Sequence, residues 1–320
     1  MNPQNNEKLR VALPQIAPIW LDKRATLDKV VDQVEKAAKE AAELIAFGEA
    51  LVPGYPFWVD VTDGARFNDA RQKEIHAHYQ DQAVCIEDGD LEQLCTALKK
   101  HEMACYLGII EAPRDRGQSL YCSFVYIGPD GEIGSVHRKL MPTYEERLVW
   151  AIGDGHGLRT HRLGAFTVGG LNCWENWMPL TRAALYAQGE DFHIAGWPGS
   201  IRNTEDITPF LAKEGSSYMM SVSSLMRRSD VPDTIPFAQE IKAALAEMPA
   251  DGGSCLAAPD GRWVLPPETG RESLRFAEID HGLVRRERQL FDPAGHYSRP
   301  EVLSLQLDRT RQTGVLIKDE

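Results

Sequence analysis

Three side chains of different type, Cys173, Glu49 and Lys139, carry the groups that nucleophilic catalysis needs. A thiol can attack an electrophilic carbon, a carboxylate can take the proton of the thiol, and an ammonium can stabilise the anionic adduct. Taken one at a time, each residue has a more ordinary explanation, as a buried cysteine, a glutamate at a strand end and a solvated lysine. Taken together, they predict a cysteine-nucleophile hydrolase that requires no histidine.

The segment around Cys173 predicts a strand, a sharp turn and a helix. The apolar run 165–168 leads through Gly169 and Gly170 to the cysteine, and Leu180–Gln188 has a helical pattern. We expect such a turn to expose the thiol, and the positive end of the following helix to favour a thiolate. The other five cysteines are expected to be reduced and mostly buried.

Glu49 and Lys139 also follow predicted strands. Glu49 comes after the apolar run 44–47, which closes a β-α-β unit formed with the strand 9–13 and a helix that Asp22 caps. Lys139 follows the second strand of a hairpin whose turn is 129–131, Pro-Asp-Gly. Side chains at the carboxyl ends of strands commonly line ligand sites in α/β proteins.

The remaining pattern predicts an α/β protein in which antiparallel pairs interrupt the parallel strands. A helical face at 91–98 precedes the strand 105–110, and a second Pro-Asp-Gly turn, 259–261, lies between the strands 254–257 and 262–265. The chain lacks a low-complexity linker. We therefore predict one catalytic domain over residues 1–305 and a C-terminal tail over 306–320.

Composition narrows the classes of function. The 320 residues have a net charge of -12 and a pI of about 5.3, which argue against a nucleic-acid binder or a protein held on an acidic membrane surface. No stretch approaches the roughly 18 consecutive apolar residues of a membrane span. We expect a soluble, cytoplasmic protein with a small uncharged or cationic substrate.

Three motifs in order resemble the nitrilase superfamily, and its nitrilase branch in particular. The first is Phe-Gly-Glu-Ala at 47–50 with Pro-Gly-Tyr-Pro at 53–56, and the second is His-Arg-Lys-Leu-Met-Pro-Thr at 137–143 with Glu-Glu-Arg at 145–147. The third runs from Gly169 to Pro179 around Cys173. The resemblance extends from Val11 to Pro300, which is nearly the whole chain.

The resemblance implies an α/β fold, a four-layer α-β-β-α sandwich with two mixed β-sheets. It implies Glu49 as general base, Lys139 as stabiliser of the tetrahedral adduct and Cys173 as nucleophile, without a metal ion or an organic cofactor. Glu146 matches a second family glutamate that orients Lys139 and the hydrolytic water. The adjacent Glu145 is the competing assignment, but Glu146 stands directly before Arg147, as in the family pattern.

The Trp-Glu-Asn sequence after Cys173, with Pro179, resembles enzymes that hydrolyse nitriles to a carboxylic acid and ammonia through a thioimidate and a thioester. An amidase or carbamoylase and a cyanide-converting enzyme are alternatives within the superfamily. A non-catalytic binding or filament-forming relative is an alternative of another class, although all three catalytic positions are present. A papain-like enzyme with His137 or His161 as base is a less favoured alternative than any of these.

The substrate pocket is predicted from aromatic residues near the three motifs. Tyr55, Trp174 and Trp197 are the candidates, and they favour an aromatic or medium aliphatic nitrile, although ordinary core packing explains such residues equally well. His296 is expected to have a structural role as easily as a contact with substrate. By resemblance, the chain forms a homodimer or a higher homo-oligomer.

Overall fold

The first β-α-β unit forms as the apolar pattern predicts. In the computed structural model, which describes residues 7–313, strand β1 (Lys8–Gln15) leads to helix α1 (Lys23–Lys39) and then to strand β2 (Leu44–Ala46). Asp22 caps α1, because its side chain accepts a hydrogen bond from the Ala25 N–H at 2.9 Å. The predicted N-cap is therefore confirmed.

Eleven further strands and seven further helices follow within the described residues, with three helices in succession after β2 and five strands in succession before α5. The further strands are β3 (Ala104–Glu111), β4 (Tyr121–Ile127), β5 (Ile133–Arg138), β6 (His161–Leu163), β7 (Phe166–Asn172), β8 (Phe192–Trp197), β9 (Tyr218–Ser223), β10 (Leu225–Met226), β11 (Ala250–Ala257), β12 (Trp263–Thr269) and β13 (Ser273–Asp280). The further helices are α2 (Trp58–Val61), α3 (Ala70–Asp81), α4 (Glu92–His101), α5 (Pro179–Tyr186), α6 (Ile207–Gly215), α7 (Ala238–Ala244) and α8 (His281–Arg288).

The strands form two mixed sheets. The first has the order β13-β1-β2-β3-β4-β5, in which β1, β2 and β3 are parallel and the outer pairs are antiparallel. The second has the order β10-β11-β9-β8-β7-β6, with β12 paired to β11 and with β7, β8 and β9 parallel. Both predicted hairpins, β4-β5 and β11-β12, are confirmed, one in each sheet.

The two sheets pack face to face, and helices cover their outer faces. Apolar side chains from both sheets, including Leu13, Phe124, Phe166 and Met220, form one buried cluster between them. Helices α1 and α4 cover the first sheet through a second cluster, and α5 and α6 pack against the second sheet. The four-layer α-β-β-α sandwich is therefore confirmed.

The described part of the predicted tail lies along the body of the protein. Leu307 packs beside Leu158 and Leu185, and Arg311 forms an ion pair with Asp154 at 3.1 Å. The Arg311 guanidinium also donates a hydrogen bond to the Val136 carbonyl in β5 at 2.8 Å. Residues 314–320 of the predicted tail lie outside the described residues. No helix within residues 7–313 combines the length and the apolar character that crossing a bilayer requires.

Candidate active site

Cys173 stands where a strand turns sharply into a helix. Strand β7 ends at Asn172, Cys173 begins a short 3-10 helix that ends at Trp177, and α5 starts at Pro179. The backbone of Cys173 has a φ of +48°, a left-handed conformation that is uncommon for a residue with a side chain. The predicted strand, turn and helix are confirmed.

The thiol is more enclosed than the sequence suggested. Cys173 is only 5% exposed, and burial together with the nearby Glu49 carboxylate raises its pKa well above the usual range for a thiol. The Lys139 ammonium and the Trp174 N–H lower the pKa, but by less. The expectation that the turn exposes the thiol is therefore wrong, and burial opposes the thiolate that the helix end was expected to favour.

Glu49 is held at the end of β2 by close contacts between backbones. Its N–H donates to the carbonyl of Trp197, the last residue of β8, at 3.2 Å, so the two sheets meet at this residue. Gly108 in β3 makes room for it: a Cβ at position 108 would lie 2.1 Å from the Gly48 carbonyl oxygen and 2.8 Å from the Glu49 Cα. The position of the backbone around Glu49 thus depends on the absence of a side chain at Gly108.

Lys139 lies between two carboxylates. Its Nζ donates to Glu49 Oε1 at 2.5 Å and to Glu146 Oε2 at 2.7 Å, and all three side chains are buried. The Nζ also lies 5.5 Å from the centre of the Trp150 ring. A buried ion pair persists only when such contacts replace the lost water. The predicted Glu49 and Lys139 are therefore brought into direct contact.

The same cluster contains the thiol. One ligand atom each from Glu49, Glu146 and Cys173 lies within 4.8 Å of the others. The Cys122 thiol donates to Glu49 Oε1 at 3.3 Å, on the same oxygen that contacts Lys139. Glu49 Oε2 is buried and has no hydrogen-bond partner among the described residues. One oxygen of Glu49 is thus held in place and the other is free to accept a proton.

Burial also changes the acidity of Glu49. Desolvation raises its pKa to about 7, with Glu146 adding to the rise, whereas the Lys139 ammonium and the Cys122 hydrogen bond lower it. For Lys139, burial alone would lower the pKa, but the two carboxylates and the nearby thiols raise it well above its usual range. The pair therefore combines a permanent cation with a carboxylate that titrates near neutrality.

Glu146 is fixed by contacts that Glu145 lacks. Its carboxylate accepts hydrogen bonds from the Thr143 N–H at 2.6 Å and the Tyr55 hydroxyl at 3.0 Å, and it caps the 3-10 helix Tyr144–Leu148. Glu145 lies 3.4 Å from the Tyr55 hydroxyl and lines the neighbouring cleft. Of the two candidates, Glu146 is the one that contacts Lys139.

The carboxylates and the thiol are residue types that also bind metal ions. Lys139, however, lies within hydrogen-bond distance of both carboxylates and already supplies the positive charge that an ion would bring. The donor set therefore suits an internal ammonium better than a divalent cation.

A cleft of about 620 Å³ opens beside Cys173. Its apolar lining includes Tyr55, Phe57, Trp174 and Leu245, and its charged lining includes Asp60, Glu145 and Arg202. The predicted Tyr55 and Trp174 therefore lie beside the thiol in one cavity. Trp197 does not line this cleft, because its side chain is fully buried against Leu211 and Met219.

The histidines weighed for a papain-like site lie elsewhere. His137 Nε2 is 3.1 Å from both oxygens of Glu175, and His161 stacks on Tyr126. Among the described residues, neither histidine forms a hydrogen bond with Cys173. His296 lies in an exposed segment near the chain end, with its Nε2 3.5 Å from the Leu290 carbonyl.

A comparison with family models decides the assignment of this fold and site. The model described as carbon-nitrogen hydrolase matches residues 10–289. The chain belongs to the carbon-nitrogen hydrolase family. The resemblance drawn from the three motifs is therefore confirmed, as is the prediction that the chain is a nitrilase-type hydrolase.

Relatives within the carbon-nitrogen hydrolase family match the chain over almost its full length. It is 32% identical to Nitrilase 2 from an unknown prokaryotic organism, over 98% of this chain and 96% of that protein. It is 34% identical to an aliphatic nitrilase of Sinorhizobium fredii, over 97% of this chain and 99% of that protein. The crystal structure of a carbon-nitrogen hydrolase from Helicobacter pylori shares the fold, with a TM-score of 0.70 and 16% identity over 93% of this chain and 97% of that one.

Sequence reasoning missed several residues at the site of this carbon-nitrogen hydrolase. Cys122, which contacts Glu49, lies in an ordinary strand pattern and was one of five cysteines assigned to the core. The three predicted pocket residues do not include Trp150, whose ring faces the Lys139 ammonium and the Tyr55 ring. Phe57 reaches the cleft from a loop and Arg202 from the short 3-10 helix Ile201–Asn203, and neither segment carries a periodic pattern.

Proposed function

We propose that this enzyme hydrolyses a nitrile to the carboxylic acid and ammonia, with Cys173 as nucleophile, Glu49 as general base and Lys139 as stabiliser of the anionic adduct. The contact between Lys139 and Glu49, with the thiol in the same buried cluster, carries the proposal. The names of its relatives, a nitrilase and an aliphatic nitrilase, support a nitrile substrate.

The first half of the reaction consumes one water. Glu49 takes the proton of Cys173 as the sulfur attacks the nitrile carbon, and the nitrogen gains a proton to give a thioimidate. Water, activated by Glu49 and oriented by Glu146, adds to the thioimidate carbon. The amine then gains a proton and leaves as ammonia, so that a thioester remains on Cys173.

The second half consumes another water and restores the thiol. Glu49 accepts a proton from the water that attacks the thioester, and the Lys139 ammonium stabilises the oxyanion. The carbon-sulfur bond breaks, the carboxylic acid departs, and the sulfur regains a proton. The balance is one nitrile and two waters to one acid and one ammonia, without an external oxidant or reductant.

The cleft supports aromatic or medium aliphatic nitriles as substrates. Its volume of about 620 Å³ far exceeds what hydrogen cyanide would fill, and Tyr55, Phe57 and Trp174 offer apolar surface beside the thiol. We retain Tyr55 and Trp174 as substrate contacts. Trp197 enters this proposal only as a support for the backbone of Glu49, through its carbonyl.

Ammonia release across a panel of nitriles, the matching amides and cyanide tests the proposed reaction. We expect turnover of aromatic or medium aliphatic nitriles, with the acid as product. Preference for amides would favour an amidase, and activity confined to cyanide would favour a cyanide-converting enzyme. Absence of turnover across the panel would favour a non-catalytic relative.

Two substitutions test the proposed roles. Cys173→Ala should abolish turnover and any covalent adduct, whereas Glu49→Gln should keep the thiol and lower kcat by about two orders of magnitude or more. Cys255→Ala is a matched control, because this buried thiol lies in β11 beside Thr208. Substantial turnover by Cys173→Ala would contradict the mechanism.

We also propose a cytoplasmic homodimer or higher homo-oligomer. The six cysteines are all free thiols, which fits a reducing compartment and supports the location. Exposed apolar side chains next to the site, Trp177, Met178 and Leu180, support self-association. Light scattering on a size-exclusion column should give at least twice the chain mass of 35.8 kDa for the wild type and less for Leu180→Glu. A monomeric wild type would contradict this proposal.

A further inference from the structure

We propose that Glu175 is a positioning residue that fixes Cys173 relative to Lys139. It is the glutamate of the Trp-Glu-Asn sequence after the cysteine, and the proposed reaction assigns this glutamate no role. The expected loss of kcat rests on the proposed function, whereas the positioning of Cys173 by Glu175 does not.

One carboxylate joins the chain segments that carry the two residues. Glu175 Oε1 accepts a hydrogen bond from the Leu140 N–H at 2.7 Å, directly after Lys139. Glu175 Oε2 accepts one from the Asn172 N–H at 3.0 Å, directly before Cys173. Because Lys139 follows a strand of the first sheet and Cys173 a strand of the second, Glu175 links the two sheets at the site.

The link is buried and charged. Glu175 is 1% exposed, and its oxygens lie 3.1 Å from His137 Nε2. Burial alone would raise the pKa of Glu175, but His137 and the two backbone N–H groups lower it below its usual range. Hydrogen bonds from N–H groups to a buried carboxylate are shorter and stronger than neutral ones.

The backbone of Cys173 needs such support. A left-handed conformation at a residue with a side chain is strained and persists only where neighbours enforce it. Glu175 holds the N–H before Cys173, and the Asn176 side chain donates to the Cys173 carbonyl at 2.8 Å. Of these two side chains, Glu175 is the one that also binds the Lys139 segment.

Loss of the link should affect chemistry more than binding. A displacement of about 1 Å between reacting groups can lower a rate about a hundredfold. Among the described residues, the Glu175 side chain accepts no hydrogen bond from the proposed substrate contacts, Tyr55 and Trp174. We therefore expect Glu175→Gln to lower kcat by about 10- to 100-fold while KM changes by less than about threefold.

Asp191→Asn is a matched control. Asp191 is also a buried carboxylate, and it accepts hydrogen bonds from a backbone N–H, that of Thr167 at 2.7 Å, and from a histidine, His281 at 2.9 Å. Thr167 lies near the start of β7, whereas Asn172 ends that strand. The control therefore removes a similar set of contacts, with one backbone N–H fewer, at the end of the same strand away from Cys173.

The experiment measures three quantities for the wild type, Glu175→Gln, Glu175→Asp and Asp191→Asn. The first is kcat and KM with a nitrile that the wild type hydrolyses. The second is the rate at which iodoacetamide alkylates Cys173 at about pH 6 to 9, a range that spans the titration of Glu49, monitored by the mass of the peptide that contains Cys173. The third is the midpoint of thermal unfolding.

We expect Glu175→Gln to have both a lower kcat and a lower alkylation rate than the wild type. Asp191→Asn should have a lower thermal midpoint, with kcat and alkylation rate unchanged. Glu175→Asp keeps the charge but is one methylene shorter and cannot reach both N–H groups, so it should fold and still lose kcat. Wild-type kcat in Glu175→Asp, or equal losses in Glu175→Gln and Asp191→Asn, would overturn the proposal. If the wild type hydrolyses no nitrile, the proposed function fails, and the alkylation rate of Cys173 alone then tests the positioning role of Glu175.

Discussion

At the scale of single residues, Lys139 balances the charge of two buried carboxylates. Replacing it with Met leaves Glu49 and Glu146 without their cation, so we expect the free energy of unfolding at neutral pH to fall by about 3–5 kcal/mol. Urea denaturation measures this change. Lys242→Met is the control, since Lys242 pairs with the exposed Asp233 and should cost no more than about 1 kcal/mol. Equal losses in both variants would contradict the prediction.

The acidity of Glu49 predicts how the rate depends on pH. Because burial raises the pKa of Glu49 to about 7, the carboxylate is mostly protonated below that pH and cannot accept a proton. We therefore expect kcat/KM to rise with pH through about 7 and then to level off. A flat profile between about pH 6 and 8 would contradict this assignment.

Cys122 provides a separate test of the same titration. Its thiol hydrogen bond to Glu49 favours the charged carboxylate, so Cys122→Ala should raise the pKa of Glu49 and move the acidic limb of kcat/KM to higher pH. Cys105→Ala, a buried thiol in β3, is the control and should leave the limb in place. A limb shifted to lower pH in Cys122→Ala would show that the thiol does not act as a donor.

At the scale of elements, the approach of β3 to the segment after β2 sets the position of Glu49. Gly108→Ala places a Cβ 2.1 Å from the Gly48 carbonyl oxygen, and the backbone that clashes cannot rotate away. We expect kcat to fall about a hundredfold, together with a loss of stability. Gly282→Ala in α8 is the control, because the described atoms nearest to its Cβ would belong to the side chains of Asp280 and Arg286 and not to backbone. Near-wild-type kcat in Gly108→Ala would contradict this account.

Most of the elements, and the main residues of the site, could be predicted from the sequence because they carry strong local patterns. The apolar runs that became β2 and β7 end beside Glu49 and Cys173, and the Pro-Asp-Gly turns mark both hairpins. Helix α3 was not predicted, because only Ile75 and Tyr79 are buried along it and the apolar period is weak.

Contacts between distant segments could not be predicted in this way. The burial of Cys173, the thiol of Cys122 beneath Glu49 and the two N–H groups bound by Glu175 all depend on how the two sheets meet. Local patterns specify strands and turns, but they do not specify which buried groups face each other across a sandwich. The motifs therefore indicated which residues react, and the structure showed which contacts hold those residues in place.

At the scale of the whole molecule, the described tail residues bind a buried carboxylate. Arg311 and the Gln312 N–H contact Asp154, and together with the His156 N–H they lower its pKa although burial opposes them. A lowered pKa means that this stabilisation is present above the pKa of the unfolded state and is lost as pH falls. We expect a protein truncated to residues 1–305 to fold with a lower thermal midpoint.

The pH dependence distinguishes this account from a general effect of truncation. The gap in thermal midpoint between the full chain and residues 1–305 should be largest near neutral pH and should shrink as Asp154 becomes protonated. Arg311→Gln in the full chain should reproduce part of the gap. A gap that does not change with pH would show that Leu307 packing, and not the Asp154 contacts, holds the tail.

The sum of charges at the site has a consequence for product release. With Cys173 protonated, two carboxylates and one ammonium leave a formal charge of -1, and moving the thiol proton to Glu49 does not change that sum. A neutral nitrile enters such a site without electrostatic cost, whereas the anionic acid that forms there is repelled. The buried charges that assemble the nucleophile therefore also drive the product out, and the acid should inhibit the enzyme more weakly than the neutral amide of the same shape.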